Sequence, residues 1–401
     1  MSKQNKVVLA FSGGLDTSYC VLALREQGFE VHTVFVTSGG VSTEEVEAIR
    51  ARALALGATE HHLVDASREL WDEFVKPLIW SHARMLGEYP LLCSDRYLIV
   101  RRCLALCDTL ETSHFAHGCT GMGNDQLRFD QTVRSCGDYD IHAPIRDLQK
   151  QTDQVREFEM AKLEEAGFDA PGKSGHYSIN ENLLGVTISG SEIDRFEAPG
   201  DETRALCRPR PEWPSEPLSV KIRFELGEAV SLDGQAAPGP ELLQQLNSQF
   251  GKYGVGRHIY TGDVSIGLKG RIVFECPGID VLMAAHQALE DAVNTRLQNQ
   301  FRHHVAQRWA ELVYTGFFYE PHKADLEAYL GSSQSAVTGT VTVTTEGGSI
   351  VASEVSSEYI LQDAASIYAQ SCDWTPEEAE GFIKLLGKSS TMAAQIRSQK
   401  E

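Results

Sequence analysis

At 401 residues, with 42% apolar residues and a formal net charge of −20, the chain can build roughly two or three domains around a sizeable core. No apolar run approaches the roughly 20 residues of a membrane span, the opening MSKQNKVV has no long apolar region, and so acidic a chain can hardly assemble the basic face that a nucleic acid requires. The expectation is a soluble, cytoplasmic protein with no membrane and no nucleic-acid partner. Nine cysteines without a CxxC pair argue for reduced, buried thiols, Cys103 and Cys107 among them, and no metal site is expected.

The first element is the apolar run Val7, Val8, Leu9, Ala10, Phe11, a short buried strand, and SGGLDTS (Ser12 to Ser18) follows it at once. Gly13 and Gly14 permit a tight turn, and Asp16, Thr17 and Ser18 can open a helix. Backbone N–H groups at a helix start carry partial positive charge and lack acceptors, which suits a phosphate or pyrophosphate. No GK[ST] closes the loop, and the spacing is not that of the dinucleotide fingerprint.

Strand and helix then alternate. Glu30 to Val36 reads as a strand, Thr43 to Leu56 as an amphipathic helix, His61 to Asp65 as a strand and Asp95 to Leu110 as a helix. His114 to Cys119 and Asp140 to Ile145 read as two further strands, and Thr152 to Ala166 as a helix. This is the order of a parallel sheet. Ligands are expected at the carboxyl ends of its strands, where the glycine loop, Thr37 to Gly40 and His117 to Thr120 would meet. A nucleotide entering an acidic protein needs a local basic pocket, for which Arg96, Arg101, Arg102, Arg128, Lys269 and Arg271 are candidates.

Pro171 to Gly175 reads as a linker and Pro199 to Pro217 as a loop. A mixed region follows, with strands at Ser219 to Glu225 and Arg271 to Glu275, helices at Glu241 to Phe250 and Val281 to Leu297, and a hairpin around Gly347 and Gly348. Thr375, Pro376 and Glu378 form a capping box. The helix expected from Thr375 to Gln399 carries Phe382, Ile383, Leu385, Leu386, Met392 and Ile396, a stripe that must be buried on its own domain or on another subunit. The fold class is therefore α/β, with a nucleotide-binding domain at 1–168, a mixed α+β domain at 169–370 and a C-terminal oligomerisation helix at 371–401.

A second motif, HGCTGMGNDQLRFD (His117 to Asp130), places Thr120, Asn124, Asp125 and Arg128 in one glycine-bearing turn. Asp125 can hold an ammonium, while Thr120, Asn124 and Arg128 can hold carboxylates or amides, as binding an amino acid requires. SGGLDTS resembles the PP-loop of ATP pyrophosphatases. Together with HGCTGMGNDQLRFD it resembles argininosuccinate synthase, and YPLLCS (Tyr89 to Ser94), YSINENLLG (Tyr177 to Gly185), YGVGR (Tyr253 to Arg257), LVYTGF (Leu312 to Phe317) and EGFIK (Glu380 to Lys384) agree.

The resemblance implies a homotetrameric ligase that joins citrulline to aspartate through a citrullyl-adenylate, consuming ATP with Mg²⁺ and releasing AMP and pyrophosphate. It implies ATP at Ala10, Phe11, Ser12, Gly13, Gly14, Leu15, Asp16, Thr17, Ser18, Val36 and Gly118, and aspartate at Thr120, Asn124 and Asp125. Citrulline would meet Tyr89, Ser94, Asn124, Arg128, Ser178 and Thr187, with Asp16, Asp125 and Arg128 the residues nearest the chemistry. The chain departs from the family pattern in places. Met122 stands where a lysine is usual, Thr187 replaces a serine and Ser189 falls near a usual glutamate. Gly262 takes the place of a citrulline-holding glutamate, and Phe274 that of a tyrosine. Lys173 or Lys269 could replace the missing cation and Asp263 the missing carboxylate. Two other readings are another PP-loop adenylating enzyme and a non-catalytic nucleotide-binding paralogue.

Overall fold

The computed structural model describes residues 5–169, 177–265, 267–363, 366, 368 and 370–399, so the linker expected at 171–175, with Lys173, lies outside the described residues. The chain divides into two compact units, Met1–Tyr359 and Ile360–Glu401.

The alternating pattern yields five strands: β1 (Lys6–Ala10), β2 (Glu30–Thr37), β3 (Glu60–Asp65), β4 (His114–Ala116) and β5 (Asp140–His142). They form a parallel sheet in the order β3-β2-β1-β4-β5. The order reverses between β1 and β4, and the crevice outside the carboxyl ends of those two strands is where such sheets place ligands. One face is covered by the helices Leu15–Glu26 and Thr43–Ala55, with Val7, Leu9, Cys20, Val21, Leu24, Val31, Ala53 and Leu56 forming a sealed core. Each large side chain so buried contributes about 1.5–3 kcal/mol. The helix Asp95–Thr109 packs against β1 and β2 and buries Cys103 and Cys107.

Among the described residues nine further strands follow: β6 (Ser178–Asn182), β7 (Gly185–Ser189), β8 (Leu218–Glu225), β9 (Glu228–Leu232), β10 (Gln235–Ala236), β11 (Arg257–Asp263), β12 (Lys269–Glu275), β13 (Gly339–Gly347) and β14 (Ser349–Ser356). They build two antiparallel sheets, β10-β9-β8-β13-β14 and β11-β12-β7-β6. The expected hairpin is the pair β13–β14, turning at Gly347 and Gly348.

Several expected boundaries move for local reasons. The strand expected at Asp140 to Ile145 stops at His142, because Pro144, at the first helical position, opens the helix Pro144–Gln149. The strand expected to reach Cys119 ends at Ala116, where glycine-rich backbone leaves the sheet. The helix expected at Val281 to Leu297 is Pro277–Val293, and Thr295, with Gln298, makes a capping box that starts a second helix, Arg296–Tyr314. The expected terminal helix is Pro376–Leu386 and Lys388–Ser398, divided at Gly387.

Candidate functional site

At the end of β1 the Phe11 amide donates to Val34 O at 2.9 Å, and the chain then leaves the sheet through Ser12, Gly13 and Gly14. Gly13 has φ of +77°, and a Cβ there would lie 3.0 Å from Ile49 Cγ1, so both backbone and space require glycine. The helix Leu15–Glu26 starts with Gly14 at its N-cap and no side chain capping it, which leaves the amides of its first turn for a ligand. Ser12 Oγ and Thr17 Oγ1 lie 3.2 Å apart over this opening. Ser18 is used internally: its buried hydroxyl donates to Gly13 O at 3.5 Å and accepts from Arg52 Nε at 2.8 Å.

The second loop closes on the first. A Cβ on Gly118 would lie 3.1 Å from Thr17 Cγ2 and 3.4 Å from the Thr17 amide nitrogen, so the two motifs touch where the strand order reverses. His117, fully buried, anchors the loop: Nδ1 accepts from the Cys119 amide at 3.1 Å and Nε2 meets Asp130 Oδ1 at 3.0 Å, with Arg146 on the same carboxylate. Burial lowers the His117 pKa against the pull of Asp130. Gln149 Oε1 accepts from the Gly121 amide at 2.7 Å, and Thr120 Oγ1 from the Met122 amide at 3.4 Å. The Met122 side chain is exposed.

Beyond the glycines lies a charge network. Asp125 accepts from Arg96 Nε at 3.2 Å and from Arg128 Nη1 at 2.7 Å. Burial alone would raise Asp125, but the two guanidinium groups hold its carboxyl below the usual carboxylate range. Arg96 also reaches Asp95 at 2.7 Å and Asn180 at 2.8 Å. Arg128 donates from Nε and Nη2 to Tyr314 O at 3.1 and 2.9 Å, with its guanidinium 5.0 Å from the Tyr314 ring centre. Asn124 Nδ2 donates to the Tyr314 hydroxyl at 3.0 Å, and Asn124 Oδ1 accepts from the Ser265 amide at 2.8 Å.

Tyr314 joins this network to an aromatic box. Tyr89 packs on Tyr260 (5.3 Å, stacked), Phe274 (5.3 Å, edge-on) and Tyr314 (6.3 Å, edge-on). Phe274 pairs with Thr187 across β12 and β7, so Thr187 sits on the same face as the box. Burial pushes the Tyr89 phenol well up, opposed by Arg128 and the Thr187 hydroxyl. The Tyr260 hydroxyl is buried beside that of Tyr314 without a hydrogen bond of good geometry. A Cβ on Gly262 would lie 2.0 Å from that hydroxyl, so any side chain at 262 and this Tyr260 conformation exclude each other.

Ala10 ends β1 and Phe11 follows it beside the loop, and Val36 is buried near the end of β2. Ser94 is buried and its hydroxyl donates to Leu91 O at 2.6 Å, while Ser178 is exposed at the start of β6. Among the described candidate cations, Arg96 and Arg128 reach the site. Arg101 and Arg102 pair with Glu69, and Arg271 binds Glu197 O. Lys269 and Asp263, offered by the sequence as a replacement cation and carboxylate, pair with each other at 2.6 Å on exposed ends of β11 and β12. Sequence reasoning did not single out Tyr260 or Tyr314 as site residues, although LVYTGF, which contains Tyr314, was among the stretches that carry the resemblance. It missed Arg52 and Glu159 too, since a charged residue on a polar helix carries no local sign that it turns inward.

Glu159, on the helix Val155–Glu165, is fully buried, and both its carboxyl oxygens lack partners. Burial and then the charge of Asp16 push it up to about 8 against the pull of Arg156. Asp16 is likewise raised, by burial first, with Arg156 opposing. A folded-state pKa raised above the unfolded value means the unfolded state ionises first, so this group costs nothing below about pH 4.5 and destabilises increasingly up to about pH 8. Glu159→Gln is therefore expected to remove that slope and stabilise the protein by about 2–4 kcal/mol at pH 8 relative to pH 5. Urea unfolding at the two pH values measures it, and equal shifts at both would contradict the assignment.

The comparisons with known proteins point to one family. Residues 6–166 match the family model described as the arginosuccinate synthase N-terminal HUP domain, and residues 177–393 match the arginosuccinate synthase C-terminal domain. The chain is 56% identical to an argininosuccinate synthase of Xanthomonas campestris pv. campestris, covering 97% of this chain and 98% of that protein. It is 54% identical to that of Xylella fastidiosa (99% and 98% covered) and 36% identical to that of Methanocaldococcus jannaschii (98% and 99% covered).

Proposed function

Since the chain belongs to the argininosuccinate synthase family, we propose that it ligates citrulline to aspartate with ATP, using the two loops at the β1/β4 switch point for the nucleotide and the Asn124–Tyr314–Tyr89 cluster for the amino acids. The observation that carries this reading is the contact of Gly118 with Thr17, which puts the nucleotide loop and the start of the amino-acid loop at one point. The non-catalytic and other adenylating alternatives are not favoured.

The ureido carbon of citrulline is a poor electrophile because nitrogen donation stabilises it and its oxygen cannot leave. Attack of that oxygen on the α phosphorus of ATP forms the citrullyl-adenylate and expels pyrophosphate. The aspartate amine then attacks the ureido carbon, AMP leaves and the amine proton is lost, so one hard step becomes two easier ones. The protein's contribution in this reading is positional and electrostatic. First-turn amides of the helix Leu15–Glu26, with Ser12 and Thr17, hold phosphate oxygens. Thr120, Asn124 and Asp125 hold aspartate, with Asp125 kept ionised by Arg96 and Arg128 so that it can meet an ammonium. Tyr89, Thr187, Asn124 and Arg128 surround citrulline.

Mg²⁺ accompanying the triphosphate would neutralise its charge. The unpartnered Glu159 oxygens, which feel the charge of Asp16, fit a dication nearby, and Asp16 is the carboxylate at the loop that would hold it. We read 371–401 as the contact of a homotetramer, because the stripe Phe382, Ile383, Leu385 and Leu386 needs an apolar partner. With Gly262 lacking a side chain, the Tyr260 hydroxyl takes over part of the hold on citrulline's amino-acid end.

Pyrophosphate release measured with ATP plus citrulline, plus aspartate, and plus both tests the function. Sustained release requiring both amino acids is expected, and silence with every combination would overturn it. In the same assay Tyr260→Phe is expected to raise the KM for citrulline about 3–10-fold, the worth of one neutral hydrogen bond, with kcat within about twofold. An unchanged KM would remove Tyr260 from the site.

A further inference from the structure

Among the described residues three clusters bring metal-ligating atoms together, and two of them already have a cation or an internal hydrogen bond in place. In His82–His286–Glu290, Arg302 occupies the carboxylate and His82 Nε2 bonds His286 Nδ1 at 2.8 Å. In His258–Cys276–Asp280, Arg84 holds Asp280 at 2.7 Å. The third, His32–Glu60–His62, has neither. It lies on edge strand β3 and its neighbour β2 in the parallel sheet, where they pair His32 with Glu60 and Val34 with His62, so the three side chains share one face.

The ligand atoms have the spacing of a coordination shell. Glu60 Oε2 is 3.7 Å from His32 Nδ1 and 3.5 Å from His62 Nε2, and all three atoms lie within 4.8 Å of one another. A tetrahedral ion with bonds of about 2.1 Å separates its ligands by about 3.4 Å. The buried polar atoms are unsatisfied: the His32 side chain is 5% exposed, and neither of its ring nitrogens nor His62 Nε2 has a hydrogen-bond partner. Such orphaned atoms in a sheet interior normally cost stability. Glu30 Oε1 sits 3.3 Å from the other ring nitrogen of His32, the position from which an outer carboxylate orients a metal-bound histidine.

We propose that His32, His62 and Glu60 bind a divalent transition-metal ion of the zinc class, oriented by Glu30 and completed by water. Two carboxylates and one dication leave the cluster neutral, which removes the cost of placing uncompensated charge at a sheet face. Binding turns the His62 ring, now 28° from parallel with His32 at 6.0 Å between centres. That side chain is 25% exposed and Glu60 59%, so the ion has an entry path. The bound ion would tie edge strand β3 to β2.

Tag-free full-length protein, stripped with a chelator, should bind one equivalent of Zn²⁺ in a calorimetric titration and give the intense visible absorption of four-coordinate Co²⁺. Glu60→Gln and His62→Asn, whose side chains reach solvent, should each weaken Zn²⁺ binding by at least about tenfold with unchanged circular dichroism. His258→Asn should leave it as it was. No saturable binding, equal affinity in Glu60→Gln and His62→Asn, or loss of binding in His258→Asn would overturn the proposal. None of these readouts depends on ligase activity.

Discussion

Arg128→Lys is expected to lower kcat/KM with citrulline about 100-fold or more and to destabilise the fold by about 2–4 kcal/mol, although the charge is retained. The guanidinium makes two bonds to Tyr314 O and one to Asp125 while lying 5.0 Å from the Tyr314 ring centre, and it is 3% exposed. A lysine ammonium is a point donor that cannot reproduce a planar fork. Breaking a buried ion pair costs about 3–5 kcal/mol, reduced here because a charge stays near Asp125, which is 39% exposed to water. The functional loss comes through Tyr314. Its carbonyl is held by Arg128, its hydroxyl holds Asn124 and its ring abuts Tyr89, so a shift of about 1 Å spreads through the whole amino-acid pocket. Urea unfolding and steady-state kinetics check both parts. The KM for ATP should change far less than that for citrulline, a split that general loosening of the fold would not produce. Activity within threefold of the parent would show that the fork is not what organises the pocket.

Gly118→Val is expected to cost about 100-fold in kcat/KM for ATP while leaving the unfolding midpoint nearly unchanged. The Cβ would already press on Thr17 Cγ2 at 3.1 Å, and the added methyl groups of valine must displace either the helix start or the loop. That displacement moves the first-turn amides away from the phosphate positions, where about 1 Å is worth this much. Gly118→Ala should fall between the two, because its single carbon needs only a few tenths of an ångström. Valine with the parent's KM for ATP would mean that the two loops do not share the nucleotide.

Much of the nucleotide half was legible because its signals are local. The run Val7–Phe11 followed by SGGLDTS announces strand, turn and helix start within a dozen residues, and strand–helix alternation specifies a parallel sheet with its ligand edge. The start of the helix Arg296–Tyr314 was equally local in Thr295 and Gln298, yet its capping box was passed over in favour of an apolar pattern running on to Leu297. The amino-acid pocket was legible only in part. Asn124, Asp125 and Arg128 stand in one motif, but their partners Arg96, Asn180 and Tyr314 come from distant segments.

By itself the sequence determined the parallel sheet, the uncapped helix start that suits phosphate, and the family, since backbone geometry at glycine-rich turns and hydrophobic period act over a few residues. Only the tertiary structure decided which charges were free. Lys269 faces Asp263, Ser18 is engaged by Arg52, and the space beside Gly262 is filled by Tyr260. The reason is physical: a side chain's availability depends on every group within about 4 Å of it, and that neighbourhood is assembled by packing between segments far apart in the chain.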